Sequence, residues 1–512
     1  MLLRYDSLKS GARRLLPALL LSCGLLFAPA AEARESAAAE APAAEETVPI
    51  AGETVPAAGE TVPAAEETVP IAGETEAATL TNPPLEYLCA WVSLASYEDR
   101  VGIVARRALA AMGWTLQPYR EENDRVAAKY YFMRSEIPEG RRYLLAVTGT
   151  SDLKDIKTDM RMHKAPFAGK TPEEFKREAA RGKMKPTEPL AHKGFVSYTQ
   201  TAFFEHVVNG RTFGEELRDT LLADPEAKLC VTGHSLGGAV AVLLAARLMA
   251  MGVPAEQLDV VTFGAPAVGN RAFADAYADM RLDRIAMGGD PVHTAVQSVD
   301  TSYVQFGSLQ RWHRPRGSER FPHAMTGYVD VALRKYFDDL SMKRREEARM
   351  EETGETGGLV PRVARAEAER DGESPRVLLI ADYALDDPIA GDLPYMQLAT
   401  IDNLRRETEG LVVGSVTTAG TAGAELIPRA LKAAKEAGCR YALLQHYASK
   451  RLRDKREGYT ISLEEALYDE YGNPLVLQSF TTNTDAMTPI LAALYNEAAG
   501  NEARRAAMAG GE

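Results

Sequence analysis

The stretch Val231-Thr232-Gly233-His234-Ser235-Leu236-Gly237-Gly238-Ala239 constrains this chain more than any other. An apolar run, Leu229 to Thr232, leads into it, and an apolar helical pattern, Gly237 to Met251, leads out. A serine flanked by glycines at such a junction reads as a tight turn from strand into helix. The turn would push the Ser235 hydroxyl out of the sheet. The helix N-terminus would set backbone N–H groups and a partial positive charge beside a developing oxyanion. Gly233, His234 and Gly237 build the turn, and Ser235 is the candidate nucleophile.

Other short apolar runs share this rhythm. Tyr143 to Thr148, Val260 to Phe263 and Arg284 to Met287 read as strands, with helical segments such as Phe213 to Leu222 between them. Strands apolar throughout and separated by helices imply an α/β fold, with a mainly parallel sheet covered on both faces. This pattern fills 82–341. A charge-crowded linker follows over 342–375, its first part open to helix before several glycines break it. A smaller α+β domain is expected over 376–500. Its strands are Val377 to Ile380, Leu411 to Val413, Tyr441 to Leu444 and a hairpin through Asp469 to Pro474, closed by a helix from Pro489 to Ala498. Residues 501–512 read as a flexible tail.

A serine hydroxyl attacks only once a base takes its proton. In folds of this kind the acid and the histidine follow the serine in the chain. His293 stands too close to the best acid, and His446 falls in the second domain, which leaves His313 and His323. His323 is preferred, because Phe321-Pro322-His323-Ala324 forms a loop before a helix starting at Met325. For the acid, Asp290 follows the strand ending at Met287, at the sheet edge where such sites gather. Asp279, Asp283 and Asp300 are its rivals, and an Asp-Pro pair can simply open a loop.

The N-terminus reads as an export signal over 1–33: basic residues, an apolar run from Leu15 to Phe27, then small residues suited to cleavage. The expected location is periplasmic or secreted. Leu20-Leu21-Ser22-Cys23 loosely resembles a bacterial lipoprotein signal, so anchoring through Cys23 is the alternative. In 34–81, Glu-Thr-Val-Pro starts at Glu46, Glu53, Glu60 and Glu67, a period of seven whose prolines exclude a coiled coil. This is an extended acidic tether. With the signal removed, Cys89, Cys230 and Cys439 remain. An odd number without metal spacing does not describe a disulfide framework, and Cys230 is expected as a small buried hydrophobe.

These residues resemble the class 3 (fungal-type) lipases, which are α/β-hydrolases, over about 85–340. Besides the serine turn, Thr262-Phe263-Gly264-Ala265-Pro266, His192-Lys193-Gly194-Phe195 and Ala146-Val147-Thr148-Gly149-Thr150 are similar to family segments. The resemblance implies Ser235, Asp290 and His323 as catalytic triad, with Thr150 and the Leu236 N–H as oxyanion hole. It implies a lipid or similar ester as substrate, and neither cofactor nor metal; the alternatives are a carboxylesterase, thioesterase or acyltransferase using the same triad, or an inactive envelope-binding protein. Thr148 stands where the family usually has arginine, which puts local packing in question. A lid is implied between the oxyanion strand and His192. Here that segment, 160–193, is polar and basic, which suggests contact with an anionic membrane surface. A solvated lid helix is the plainer alternative. The net charge of −13 argues against nucleic acid as partner. The C-terminal domain faintly resembles α+β domains of bacterial envelope lipoproteins, which implies binding of an envelope component.

Overall fold

The computed structural model describes residues 83–112, 114–123, 126–137, 140–149, 163–313, 322–353, 376–408, 410–414, 423–452, 458–484 and 487–509. Seven strands form the larger sheet, in chain order across it: β1 (Thr115–Glu122), β2 (Ala127–Ile137), β3 (Gly140–Val147), β4 (Lys228–His234), β5 (Leu258–Phe263), β6 (Arg281–Met287) and β7 (Ser308–Trp312). From β3 to β7 every pairing is parallel, and β1 and β2 extend the sheet antiparallel. The first two strands are absent from the apolar reading because their residues alternate with charge and Pro118 sits in β1, at the sheet edge where a missing donor is tolerated.

Side-chain alternation along these strands builds two cores. Leu145, Val147, Val231 and Val260 face α3 (Leu236–Ala250), which is buried on all sides over most of its length and accordingly apolar all round. Leu144, Ala146, Cys230 and Val261 face the opposite way, against α1 (Leu85–Ala95), α2 (Arg100–Ala111) and the long α4 (Met325–Thr353). The result is an α/β-hydrolase sheet with helices on both faces.

The second sheet comprises β8 (Val377–Ala384), β9 (Leu411–Val413), β10 (Tyr441–Arg451), β11 (Tyr459–Asp469) and β12 (Pro474–Asn483), in the order β9-β8-β10-β11-β12. One face packs on α5 (Leu393–Glu407) and α7 (Pro489–Ala509), the other on α6 (Gly423–Glu436). The hairpin turn is tied by the Asp469 carboxylate, which accepts from the Tyr471 and Asn473 N–H groups at 2.9 and 2.8 Å.

One expectation is corrected. The stretch read as a flexible tail is helical to Ala509. Arg504 within it is 1% exposed and donates to the Glu465 carboxylate at 2.7 Å, so buried charge pairing fixes the segment. The charged linker begins as helix, since α4 continues to Thr353.

The two sheets share one apolar core. Tyr87, Trp91, Tyr336 and Phe337 from the first domain cluster with Met396, Ala399, Ile490 and Leu491 from the second. Arg334 of α4 reaches Asp392 at 2.8 Å, and Arg107 donates to the Ala498 carbonyl at 2.9 Å.

Candidate active site

Ser235 sits between β4 and α3 with φ of +58°, a left-handed conformation that is strained for a residue with a side chain. Its surroundings enforce the strain. The Ser235 N–H donates to the Phe263 carbonyl at 2.9 Å, and its carbonyl accepts from Gly238 and Ala239 in the first turn of α3. A Cβ at position 233 would lie 2.4 Å from the Gly237 carbonyl carbon, and one at 237 would lie 2.1 Å from the Val147 oxygen. Both glycines of the motif are therefore required by close backbone approach. Leu236 opens α3, so its N–H is among the four that have no partner within the helix.

Asp290 lies in the loop after β6, and His323 in the turn before α4. His323 Nδ1 is 2.9 and 3.0 Å from the two Asp290 oxygens. Tyr328, one turn into α4, donates its hydroxyl proton to Asp290 Oδ2 at 2.6 Å, and the Val292 N–H donates to Oδ1 at 2.8 Å. Burial works to raise the Asp290 carboxyl. The His323 ring and these hydrogen bonds outweigh it and hold the group below the ordinary carboxylate value. His323 Nε2 is buried with no hydrogen-bond partner among the described residues. No described donor occupies this nitrogen, so it keeps its capacity to accept a proton.

His234, next to the serine, stacks its ring 4.4 Å from that of His323. Its Nε2 lies 2.6 Å from the His323 backbone oxygen and its Nδ1 2.6 Å from the Tyr97 hydroxyl. Burial first, then the His323 charge, pushes its pKa down to about 3. A carbonyl only accepts, so the neutral ring carries its proton on Nε2, and Nδ1 accepts from Tyr97. Tyr97 and Tyr328 were not singled out in the sequence. Nothing in their local context marks them, because their partners lie far along the chain.

Of the expected site residues, His323 contacts both Asp290 and His234, Ser235 follows His234 in the turn, and Thr150 lies outside the described residues. The rival histidine His313 is exposed beyond β7, and the rival acid Asp300 pairs with Lys164 at 2.6 Å. Thr148 is well accommodated: its hydroxyl donates to the Ser96 carbonyl at 3.1 Å and its N–H to the Lys129 carbonyl at 3.0 Å. Among the described residues no group of three or more His, Cys, Asp or Glu could hold a metal ion, and no helix is long and apolar enough to cross a membrane.

The described part of the basic segment packs against the far end of α3. Residues 150–162 lie outside the described residues. Beyond them, Phe167 and Phe175 enclose the Arg247 guanidinium at 3.7 and 4.0 Å from their ring centres. Arg247 lies eleven residues along α3 from Leu236, about 16 Å at 1.5 Å per residue. The helix Pro172–Ala179 is thus pinned towards the far end of α3, away from Ser235. Several of its charges are paired locally, with Arg181 2.8 Å from Glu188 and 3.2 Å from Glu178.

The sheet, the strained serine turn and the acid–histidine pair past the strand ends define an α/β-hydrolase. Within that class, residues 144–299 match the model of the lipase (class 3) family, so the chain carries a class 3 lipase segment. A secreted mono- and diacylglycerol lipase of Fusarium solani is 46% identical over 72 residues, covering 14% of this chain and 21% of that protein. A lipase of Caenorhabditis elegans is 54% identical over 78 residues, covering 14% and 22% respectively. The chain thus spans about a fifth of the length of these curated relatives. Among solved structures, a lipase from Rhizopus microsporus var. chinensis aligns with TM-score 0.34 and 22% identity, over 44% of this chain and 72% of that one. The Rhizomucor miehei lipase–propeptide complex aligns with TM-score 0.34 and 19% identity, over 46% and 68%.

Proposed function

We propose that the protein is an exported serine hydrolase that cleaves carboxylic ester bonds of lipids through an acyl-enzyme on Ser235. The observation that carries this is a strained, helix-capping serine whose neighbour His234 stacks on a histidine held at Nδ1 by a buried carboxylate. In the reaction, Nε2 of His323 takes the Ser235 hydroxyl proton as the oxygen attacks the ester carbonyl. Asp290 stabilises the imidazolium so formed, and the same proton then passes to the departing alcohol. The Leu236 N–H at the head of α3, with Thr150, receives the carbonyl oxygen as it gains charge. Water repeats the sequence to release the fatty acid.

The Fusarium solani relative, a secreted lipase of mono- and diacylglycerols, supports export and makes partial glycerides the first substrates to test. The N-terminal basic and apolar run also supports export. The test is labelling by a fluorophosphonate probe together with release of fatty acid from defined glycerides and phospholipids. Both should be lost in Ser235→Ala. Unchanged turnover in that variant, with its fold intact, would exclude the mechanism.

A further inference from the structure

Helix α1 lies along strand β4 in matched register. Residues 89 and 93 share one helix face at four-residue spacing, about 6.0 Å apart, and Tyr97 follows just past the helix cap Ser96. Residues 230, 232 and 234 share one strand face at two-residue spacing, about 6.6 Å apart. These near-equal repeats align three pairs of side chains. Tyr97 meets His234 at 2.6 Å, Ser93 Oγ meets Thr232 Oγ1 at 3.2 Å, and Cys89 Sγ meets Cys230 Sγ at 3.3 Å. The cysteines stand 141 positions apart in the chain, and both are buried.

We propose that Cys89 and Cys230 form a disulfide that fastens α1 to the strand bearing the nucleophile. The proposal takes from the export reading only the supply of oxidant. The two polar pairs below hold the sulfur atoms opposite each other. Cys439, the remaining cysteine among the described residues, is buried in the second domain against α6 and does not compete. In the folded, reduced pair the mutual hydrogen bond and burial hold the Cys230 thiol well above its ordinary value. A protonated thiol does not attack disulfides, so the bond forms while the chain folds, before α1 docks. One cysteine, as thiolate, attacks a disulfide-bearing oxidant such as oxidised glutathione and expels one thiol. The second cysteine attacks the mixed disulfide and expels the other. Two protons and two electrons leave the protein, and the oxidant's disulfide becomes two thiols.

The full chain is unfolded in guanidinium, refolded in a reduced and oxidised glutathione mixture, then unfolded again with iodoacetamide and mapped by peptide mass. The same map is made of protein recovered from an exporting host. The expected result in both is a joined pair of peptides bearing Cys89 and Cys230, two hydrogen atoms lighter than their sum, with Cys439 outside any such pair. Dithiothreitol should separate them and lower the melting temperature by roughly 10 °C, because the bridge closes a long loop. Alkylated, unjoined Cys89 and Cys230 in the refolded, cooperatively melting protein would overturn the proposal, as would pairing of either with Cys439. If only the exported sample lacked the bond, the export reading would fail and the pairing would stand. Should refolding not succeed, the map of the host-exported protein decides alone. In Cys230→Ser, Cys89 should become alkylated. A Cys89 still blocked there would also overturn the pairing.

Discussion

The Tyr97 hydroxyl donates to Nδ1 of His234, while Nε2 of the same ring donates to the backbone oxygen of His323. One neutral imidazole thus links the turn after α1, the serine turn and the loop that carries His323. His234 fills the variable position of the motif, yet it has a fixed protonation state and two fixed partners.

That fixed state gives a pH dependence. The folded-state value of about 3 lies below the unbound imidazole value, so between the two the unfolded chain binds more protons than the folded one. Stability should therefore rise with pH across about 3 to 6.5 and fall on acidification through that window, by a few kcal/mol in total. His234→Gln keeps a donor for the His323 carbonyl and cannot titrate. Denaturant melts at several pH values should show a flatter acid limb for this variant. An equally steep limb would assign the dependence to other groups.

Tyr328→Phe removes the hydroxyl proton held by Asp290 and the acceptor used by the Met287 N–H. Loss of a buried donor–acceptor pair should cost about 1–3 kcal/mol of stability. The Asp290 carboxyl should move up towards its ordinary value, so the acid limb of the activity profile should shift to higher pH. We expect kcat on a short-chain nitrophenyl ester to fall roughly tenfold with KM little changed. A fall in apparent affinity alone would assign Tyr328 to substrate binding.

Arg334 bridges the two domains between Asp330, fully buried, and Asp392, nearly so. Burial works against the guanidinium charge, but these carboxylates more than offset it and raise its pKa. Arg334→Met leaves two carboxylates facing each other without a cation, and should destabilise the protein by about 3 kcal/mol. Adding Asp330→Leu and Asp392→Leu should recover much of this loss. Thermal melts of the single and triple variants check both statements.

Glu497 sits beside Arg504 with Glu465 and Glu407 close by, so one guanidinium serves three carboxylates. Burial, more than the Arg504 charge opposes it, pushes the Glu497 value up to about 8. The folded state then binds the extra proton between the ordinary carboxylate value and about 8, so stability should decline as pH rises through that range. Glu497→Gln should remove the decline. Melts from pH 5 to pH 9 would show this, and parallel curves for the two proteins would refute it.

The parts of this architecture visible in the sequence are those written locally. The apolar runs β3 to β6, the glycine-bounded serine and the loop after Met287 each announce themselves within ten residues or so. What was not visible depends on register between distant segments. Cys89 looks like an ordinary helix residue, and Tyr97 like an ordinary turn residue, until α1 is laid along β4. The stretch before His192 is expected as a lid through the family resemblance alone, and its sequence does not show what it packs against. Phe167 and Phe175 anchor it through Arg247, which is distant in sequence. Arg504 looks like part of a polar tail, because a lone arginine near a terminus does not reveal three glutamates waiting for it.

The sharing of one apolar core between the two sheets bears on how such a chain can evolve and be dissected. Helix α4 begins just after the turn that carries His323, and its first four turns line the core that both sheets share, so neither half owns it. Severing the chain after Thr353 would strip Tyr87, Trp91 and Phe337 of their cover, and the orphaned half should aggregate rather than turn over substrate. The carboxyl-terminal sheet is then no exchangeable passenger. Substitutions in it should echo in catalytic rate, and the two halves should drift through sequence space in step.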